Sequence, residues 1–273
     1  MSSTLPIVTV ELAKRLEGAE HLGLVQRLEA MMQDEKRHDQ AVLKRFGDGT
    51  ALINLETSWP FMNKVIGLTE ADVHLLPEIV DHYAAYGVPC RVKTNPAYAT
   101  PELLAALRQH GFVAEDFSTT TLYGVATEAI PPLSQGIGVR KMEGDEFDLF
   151  GELYVRAMNL PAERAQSVAH NQRLIASHAD YHYYFASVDG EDAGVAMMFL
   201  HDRMGSFCAA ATCQEHRGRG LQQALLSARM RDAARLGCDL VVAQAAYAST
   251  SQRNMLRCGM QIAFSDLVFI KQG

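Results

Sequence analysis

Hydrophobic positions in the first 130 residues switch between helical and strand-like spacing. Leu24, Leu28, Met31 and Met32 recur at the interval of one helical face, so we expect two or three helices within residues 10–45. The other patterns in this half are strand-like runs at 52–55, 61–66 and 90–93 and helical patterns at 72–86 and 101–110. The first half is therefore predicted to mix helices and strands.

The second half has a more regular order. After a short strand at 137–141 and helical patterns at 145–158 and 162–178, three strand-like runs follow at 183–188, 193–200 and 206–212. Asp189-Gly190 and the loop 201–205 separate these runs, which predicts an antiparallel meander. The remaining predicted elements are a helix at 221–236 ended by Gly237, a buried strand at 240–245, a helix at 249–257 closed by Gly259, and a final strand pair within 261–270.

Proline, serine and glycine punctuate the chain between Ile130 and Gly136. With 273 residues, two domains are expected, and we place them at 1–132 and 137–273. A weaker seam lies at Gly47-Asp48-Gly49. Gly87 and Gly237 each precede a strand, a short helix and a second glycine, so we interpret the halves as two copies of one fold.

The charge balance excludes broad classes of partner. A net charge of −7 supplies no positive field for nucleic acid or an anionic membrane. The sequence shows neither a long apolar segment nor a signal-peptide layout, so the cytoplasm is the expected location, and a homodimer stays open. The five cysteines lack metal-like spacing, and the histidine pairs His74/His82 and His178/His182 lack the H-E-x-x-H pattern, so we expect no metal.

The most informative segment is Arg217-Gly218-Arg219-Gly220, which lies between a predicted strand and a predicted helix. Such a turn directs unpaired backbone N–H groups and the positive end of the helix dipole at one spot, which suits phosphate. A solvated basic turn and a dinucleotide-binding loop are the alternatives. The dinucleotide fingerprint would need Gly or Ala at position 223, where the chain has Gln223.

These residues resemble the GNAT superfamily of N-acetyltransferases, whose signature Q/R-x-x-G-x-G/A stands here as Arg217 to Gln222, with Gln in the last position. The resemblance extends over residues 137–270 and includes the segment from Ser251 to Met260. It implies an α/β (α+β) fold, with a mixed, mostly antiparallel sheet flanked by helices and present in two copies. It also implies that the sheet splays open between the strand that ends at Thr212 and the strand 240–245, and that the pantetheine of acetyl-CoA lies in this opening. The cofactor contacts that the resemblance implies are Ala210, Ala211 and Thr212 beside pantetheine, Arg217, Gly218, Arg219, Gly220, Leu221, Gln222 and Gln223 around the pyrophosphate, and Asn254.

The reaction that the resemblance implies is direct attack of a small-molecule or peptide amine on the thioester, without a covalent enzyme intermediate. Many members carry a tyrosine acid where this chain has Met255, so we expect the thiolate to leave unassisted, through water, or with help from Tyr247, which is the candidate acid here. Glu215 is the candidate base, with His216 beside it. We expect Cys213 to be a small buried residue, and we expect Asn159, Leu160 and the aromatic run 181–184 to shape the acceptor pocket.

Two hypotheses concern the rest of the molecule. The first half has only Gly67-Leu68-Thr69-Glu70 where its helix would begin, so we expect a degenerate copy that no longer binds cofactor and instead serves structure or the acceptor site. An acyl-CoA sensor without catalysis and a nicotinamide-dependent oxidoreductase are the rival functions.

Overall fold

The computed structural model describes residues 4–57, 60–115, 119–177 and 180–272. Its helices are α1 Val10–Met32, α2 Leu76–Ala85, α3 Pro101–Gln109, α4 Phe147–Met158, α5 Ala165–Ile175, α6 Leu221–Arg235 and α7 Thr250–Arg257. Its strands are β1 Ala41–Phe46, β2 Gly49–Asn54, β3 Lys64–Ile66, β4 Arg91–Thr94, β5 Phe112–Ala114, β6 Thr119–Val125, β7 Ile137–Lys141, β8 Tyr181–Val188, β9 Glu191–His201, β10 Met204–Thr212, β11 Leu240–Ala246, β12 Gln261–Ser265 and β13 Leu267–Lys271. They form two sheets flanked by helices, with the orders β1-β2-β3-β4-β13-β5 and β12-β6-β11-β10-β9-β8-β7.

The chain divides into two compact units, each made of two segments. We call residues 7–121 with 263–273 the N-terminal unit, and residues 1–6 with 122–262 the C-terminal unit. These units differ from the predicted ranges 1–132 and 137–273 in their last strands. Strand β13 lies inside the first sheet, and β6 lies inside the second, with its residues from Leu122 onward in the C-terminal unit. Backbone pairing between strands far apart in sequence produces this arrangement.

In the N-terminal unit, one long helix replaces the two or three expected between residues 10 and 45. Helix α1 runs for 23 residues from the cap at Thr9, whose side chain accepts a hydrogen bond from Leu12 N, and β1 then begins at Ala41. Leu24, Leu28 and Met31 are buried as their spacing predicted, whereas Met32 is exposed. The predicted seam at Gly47-Asp48 is instead the turn between antiparallel β1 and β2.

The C-terminal unit has the predicted meander. Strands β8, β9 and β10 pair antiparallel, and positive φ angles at Asp189 and Gly190 form the turn between the first two. Asp202 and Arg203 also have positive φ, so a two-residue turn replaces the longer loop expected at 201–205. This antiparallel order is unlike the parallel β-α-β series that a dinucleotide-binding fold requires. Helix α5 ends at Ile175, and the predicted extension to His178 lies outside the described residues.

Candidate functional site

Strands β10 and β11 of the C-terminal unit run parallel and then separate. Their paired residues extend from Met204 opposite Leu240 to Phe207 opposite Ala243. Beyond this point β10 continues to Thr212, pairing with β9 on its other side. The second half of β10 therefore faces an opening with its backbone polar groups, where an extended ligand can bind like an added strand.

A β-bulge and a buried arginine shape the start of this opening. Ala209 is the extra residue between the pair Cys208–Met197 and the pair Ala210–Ala196. The guanidinium of Arg229 on α6 donates to the carbonyl oxygens of Met197 and Cys208 at 3.1 and 3.4 Å. Burial lowers the pKa of Arg229 to about 10. Through its two hydrogen bonds, the Arg229 side chain joins β9 to β10 at the bulge.

Helix α6 presents its N-terminus to the same opening. Gly218 and Gly220 have φ of 79° and 92°, in the left-handed region that glycine tolerates best. Within the described residues, no side-chain hydrogen bond caps the helix at Gly220. The first amides of α6, including those of Leu221 and Gln222, are therefore available to an anion at the positive end of the helix.

The opening and the helix N-terminus belong to one cleft with a volume of about 530 Å³. It brings together ten of the eleven residues expected to bind the cofactor, namely Ala210, Ala211, Thr212, Arg217, Gly218, Gly220, Leu221, Gln222, Gln223 and Asn254. The eleventh, Arg219, pairs instead with Asp189 at 3.0 Å. The geometry therefore gathers the first amides of α6 and the part of β10 that extends beyond its pairing with β11 along one continuous wall.

Gln222, which stands where the family signature has Gly or Ala, turns toward α7. Its side-chain amide donates to Ser251 Oγ at 2.8 Å, and its oxygen accepts from Asn254 Nδ2 at 2.7 Å. These bonds link the first turns of the two helices on the wall of the cleft. The larger residue thus fills the space between α6 and α7.

The arginines of the loop have different roles. The Arg217 guanidinium donates to the carbonyl oxygens of Thr212 and Ala157, at 3.3 and 2.9 Å, so it joins the end of β10 to the end of α4. Arg257 on α7 also lines the cleft and donates to Asn254 Oδ1. Sequence reasoning missed Arg257, although its three-residue spacing from Asn254 places both on one helix face.

Of the three side chains considered for proton transfer, one lines the cleft and two do not. The Tyr247 side chain follows β11 and is 71% exposed, and Glu215 pairs with Arg156 at 3.5 Å on the surface. Neither contributes to the cleft wall. His216 does contribute, and its buried Nδ1 has no hydrogen-bond partner within the described residues.

Several residues considered at the site are core residues. Cys213 is fully buried, as expected, and Arg156 Nε contacts its sulfur at 3.1 Å. The acceptor-pocket expectation was wrong for Tyr183 and Tyr184, which are both buried because successive residues of β8 face two different cores. Asn159 instead ends α4, with φ of 54°.

The corresponding helix start in the N-terminal unit is filled by the chain itself. A short 3-10 helix, Glu70–Leu75, leads into α2, and the carboxylate of Asp72 accepts from Thr69 N at 2.9 Å. Its other oxygen accepts from Asp48 N at 3.2 Å. A carboxylate of the chain itself therefore caps this helix start, whereas the start of α6 has no side-chain cap among the described residues.

Two further observations concern metal-ligating groups and the length of apolar helices. The described residues contain no group of three or more His, Cys, Asp or Glu side chains arranged to hold a metal ion. They also contain no helix with the length and apolar character needed to cross a bilayer.

Comparisons with known proteins agree with this geometry. Residues 147–260 match the profile of the Acetyltransferase (GNAT) family. A GCN5-related N-acetyltransferase from Kribbella flavida has a similar structure, with a TM-score of 0.66 and 15% identity over 95% of each chain. No curated protein shows significant sequence similarity.

Two further solved structures share the complete two-part fold. A GCN5-related N-acetyltransferase from Sphaerobacter thermophilus gives a TM-score of 0.58 at 15% identity, over 98% of this chain and 96% of that one. A tandem GNAT protein from the clavulanic acid biosynthesis pathway gives 0.60 at 13% identity, over 92% and 94%. At these identities the similarity concerns the fold, which consists of two GNAT-like halves.

Proposed function

We propose that the protein transfers an acetyl group from acetyl-CoA to a primary amine of a small molecule or peptide, because residues 147–260 match the Acetyltransferase (GNAT) family. The observation that carries this proposal is the cleft in which the uncapped start of α6 meets the unpaired end of β10. An anionic diphosphate at the first site and an extended pantetheine at the second would use both features at once. We also propose the cytoplasm as the location.

The residues present fit acetyl-CoA on the basis of their backbone groups. Amides between Gly218 and Gln223 would hold the diphosphate, and those of Ala210 to Thr212 would align pantetheine. Acetyl-CoA would supply the activated acyl thioester. Arg229 holds the bulge beside this strand, so it is a positioning residue that keeps these amides in place.

The chain must also remove a proton from the attacking ammonium group and supply one to the departing thiolate. Glu215 and Tyr247 remain our proposed base and acid, and His216, which lines the cleft wall, remains the second candidate base. His216→Gln should lower kcat and remove a limb of its pH profile if this imidazole accepts the proton. Glu215→Gln is the parallel test of the other candidate base, and the variant that loses this limb of the pH profile identifies which of the two side chains accepts the proton.

One observation supports a second candidate function. Met255 is buried in the core and cannot donate a proton, so an acyl-CoA sensor without catalysis is the alternative.

The test is release of free thiol from acetyl-CoA by the full chain with a panel of small-molecule and peptide amines. Acceptor-dependent release supports the transferase. Micromolar or tighter CoA binding without release from any amine supports the sensor, and absence of CoA binding contradicts both functions.

A further inference from the structure

The N-terminal unit contains a second cavity that the proposed reaction does not use. It measures about 270 Å³, roughly nine times the volume of one water molecule in the liquid. Helix α1 contributes Lys14, Glu17 and His21 to its wall, and Thr69 and Tyr98 come from the loops after β3 and β4.

The carboxylate of Glu17 is the unusual group in this wall. Its residue is 4% exposed, and its Oε1 atom has no hydrogen-bond partner within the described ranges. The nearest ammonium, on Lys93, lies 3.9 Å away. A buried carboxylate is costly unless it is protonated or closely paired. At 3.9 Å, Glu17 lacks the close partner that such groups normally have.

The charges behind Glu17 are already matched with each other. Glu20 bonds to both Lys64 and Lys93, and Lys93 also pairs with Asp266 at 3.2 Å. These two ammonium groups balance the two other carboxylates, which leaves Glu17 as an excess negative charge. Burial raises the pKa of Glu17 to about 7, so the side chain binds a proton readily in place of a cation.

The wall also contains one cation, Lys14, whose Nζ lies over the Tyr98 ring at 5.1 Å from its centre. This aromatic face therefore accepts an ammonium group, and a bound amine would replace that of Lys14 there. Asp48 places a second, exposed carboxylate at the wall. His21 cannot readily supply the missing charge because burial lowers the pKa of its imidazole.

From this arrangement we infer that the cavity binds a small organic molecule through a primary ammonium group, with Glu17 as its anion and the Tyr98 ring as its flanking surface. This site is separate from the acetyl-transfer cleft and does not depend on the proposed function. The described residues offer no cluster of three metal-ligating side chains here, so an organic ammonium fits this wall better than a divalent ion.

Two variants of the full chain test the inference. Glu17→Gln removes the charge and keeps the shape. Gly18→Leu blocks the cavity and keeps the charge, because Gly18 lines the cavity and a Cβ there would meet no described atom within 4 Å. The matched control is Glu78→Gln, a change of the same type at an exposed carboxylate that pairs with Lys44 outside the cavity.

The measurement is calorimetric titration with n-butylammonium chloride in two buffers of different ionisation enthalpy at pH 6. We expect the wild type and Glu78→Gln to bind equally and to release protons, because the cation displaces the proton of Glu17. Glu17→Gln should lose the proton release and at least tenfold in affinity, and Gly18→Leu should lose binding. Neutral n-butanol should not bind.

Several results would overturn the inference. The first is that n-butylammonium does not bind to the wild type, and the second is that n-butanol binds as tightly. The third is unchanged affinity for n-butylammonium in both Glu17→Gln and Gly18→Leu, which would place the amine at another site. Full competition by Mg²⁺ at equal concentration would identify an inorganic cation site instead. If Glu17→Gln fails to fold, the outcome for Gly18→Leu decides.

Discussion

Replacing Gly220 with aspartate should weaken CoA binding far more than it weakens the fold. A Cβ at this position would meet no described atom within 4 Å, so the side chain fits. The φ of 92° makes any such residue strained, at a cost of about 1 kcal/mol. The carboxylate would then enter the turn in which we expect the diphosphate, and we take about 5 Å as the separation of the two charges. With an effective dielectric constant of about 20, repulsion at this distance is about 3 kcal/mol per charge pair, and solvent exposure reduces it to about 2.

The matched control is Gly220→Asn, which has the same shape and the same backbone strain without the charge. We expect the aspartate variant to bind CoA roughly 30- to 150-fold more weakly than the asparagine variant, following from about 2 to 3 kcal/mol. Both should lose the same small amount of thermal stability. Calorimetric titration measures the affinity and thermal unfolding measures the stability. Equal CoA affinity in the two variants would refute the placement of the diphosphate at this helix start.

Three other changes test other parts of the structure. Arg229→Met should lower CoA affinity about tenfold and the free energy of unfolding by about 1 to 3 kcal/mol, since it leaves buried carbonyls unpaired; titration and denaturant unfolding would show whether both fall. Asp72→Ala should lower the free energy of unfolding by about 1 to 2 kcal/mol because it removes a carboxylate that caps the helix start. Titration of this variant should still find one CoA per chain. Two CoA molecules bound to the wild type would contradict the degenerate-copy hypothesis. Glu17→Gln should be more stable than the wild type by about 2 to 3 kcal/mol at pH 8 and equally stable near pH 4. The folded-state pKa of Glu17, about 7, exceeds the ordinary 4.5, so the wild type loses stability as the pH rises through this range. An equal difference in melting temperature between the two proteins at every pH would exclude this explanation.

Local patterns were sufficient to predict much of the C-terminal unit. The turn at Asp189-Gly190, the helix that begins after Gly220 and the apolar strand β11 all depend on residues close together in sequence. Short-range turn chemistry and hydrophobic periodicity determine such elements. The cleft could therefore be anticipated from the glycines and the strand before them.

Other features depend on distant contacts and were missed. Residues 41–46 resemble the end of a helical stretch, and their pairing with β2 makes them a strand. Glu20 and Lys93 occupy polar positions that periodicity assigns to solvent, yet they are buried because they hydrogen-bond to each other in the core. Tyr183 and Tyr184 show the converse error, since an aromatic run suggested a pocket and its two residues fill separate cores.

The position of β13 has a consequence for biosynthesis. This strand lies between β4 and β5 of the first sheet, although more than 150 residues separate it from β5 in the chain. Until the ribosome has released that stretch, β4 and β5 lack the strand that joins them, and their open backbone edges can pair with other nascent chains. The N-terminal unit, most of which is synthesised first, is therefore completed last. Removal of β13 would damage the first sheet, to which the early part of the chain contributes all the other strands.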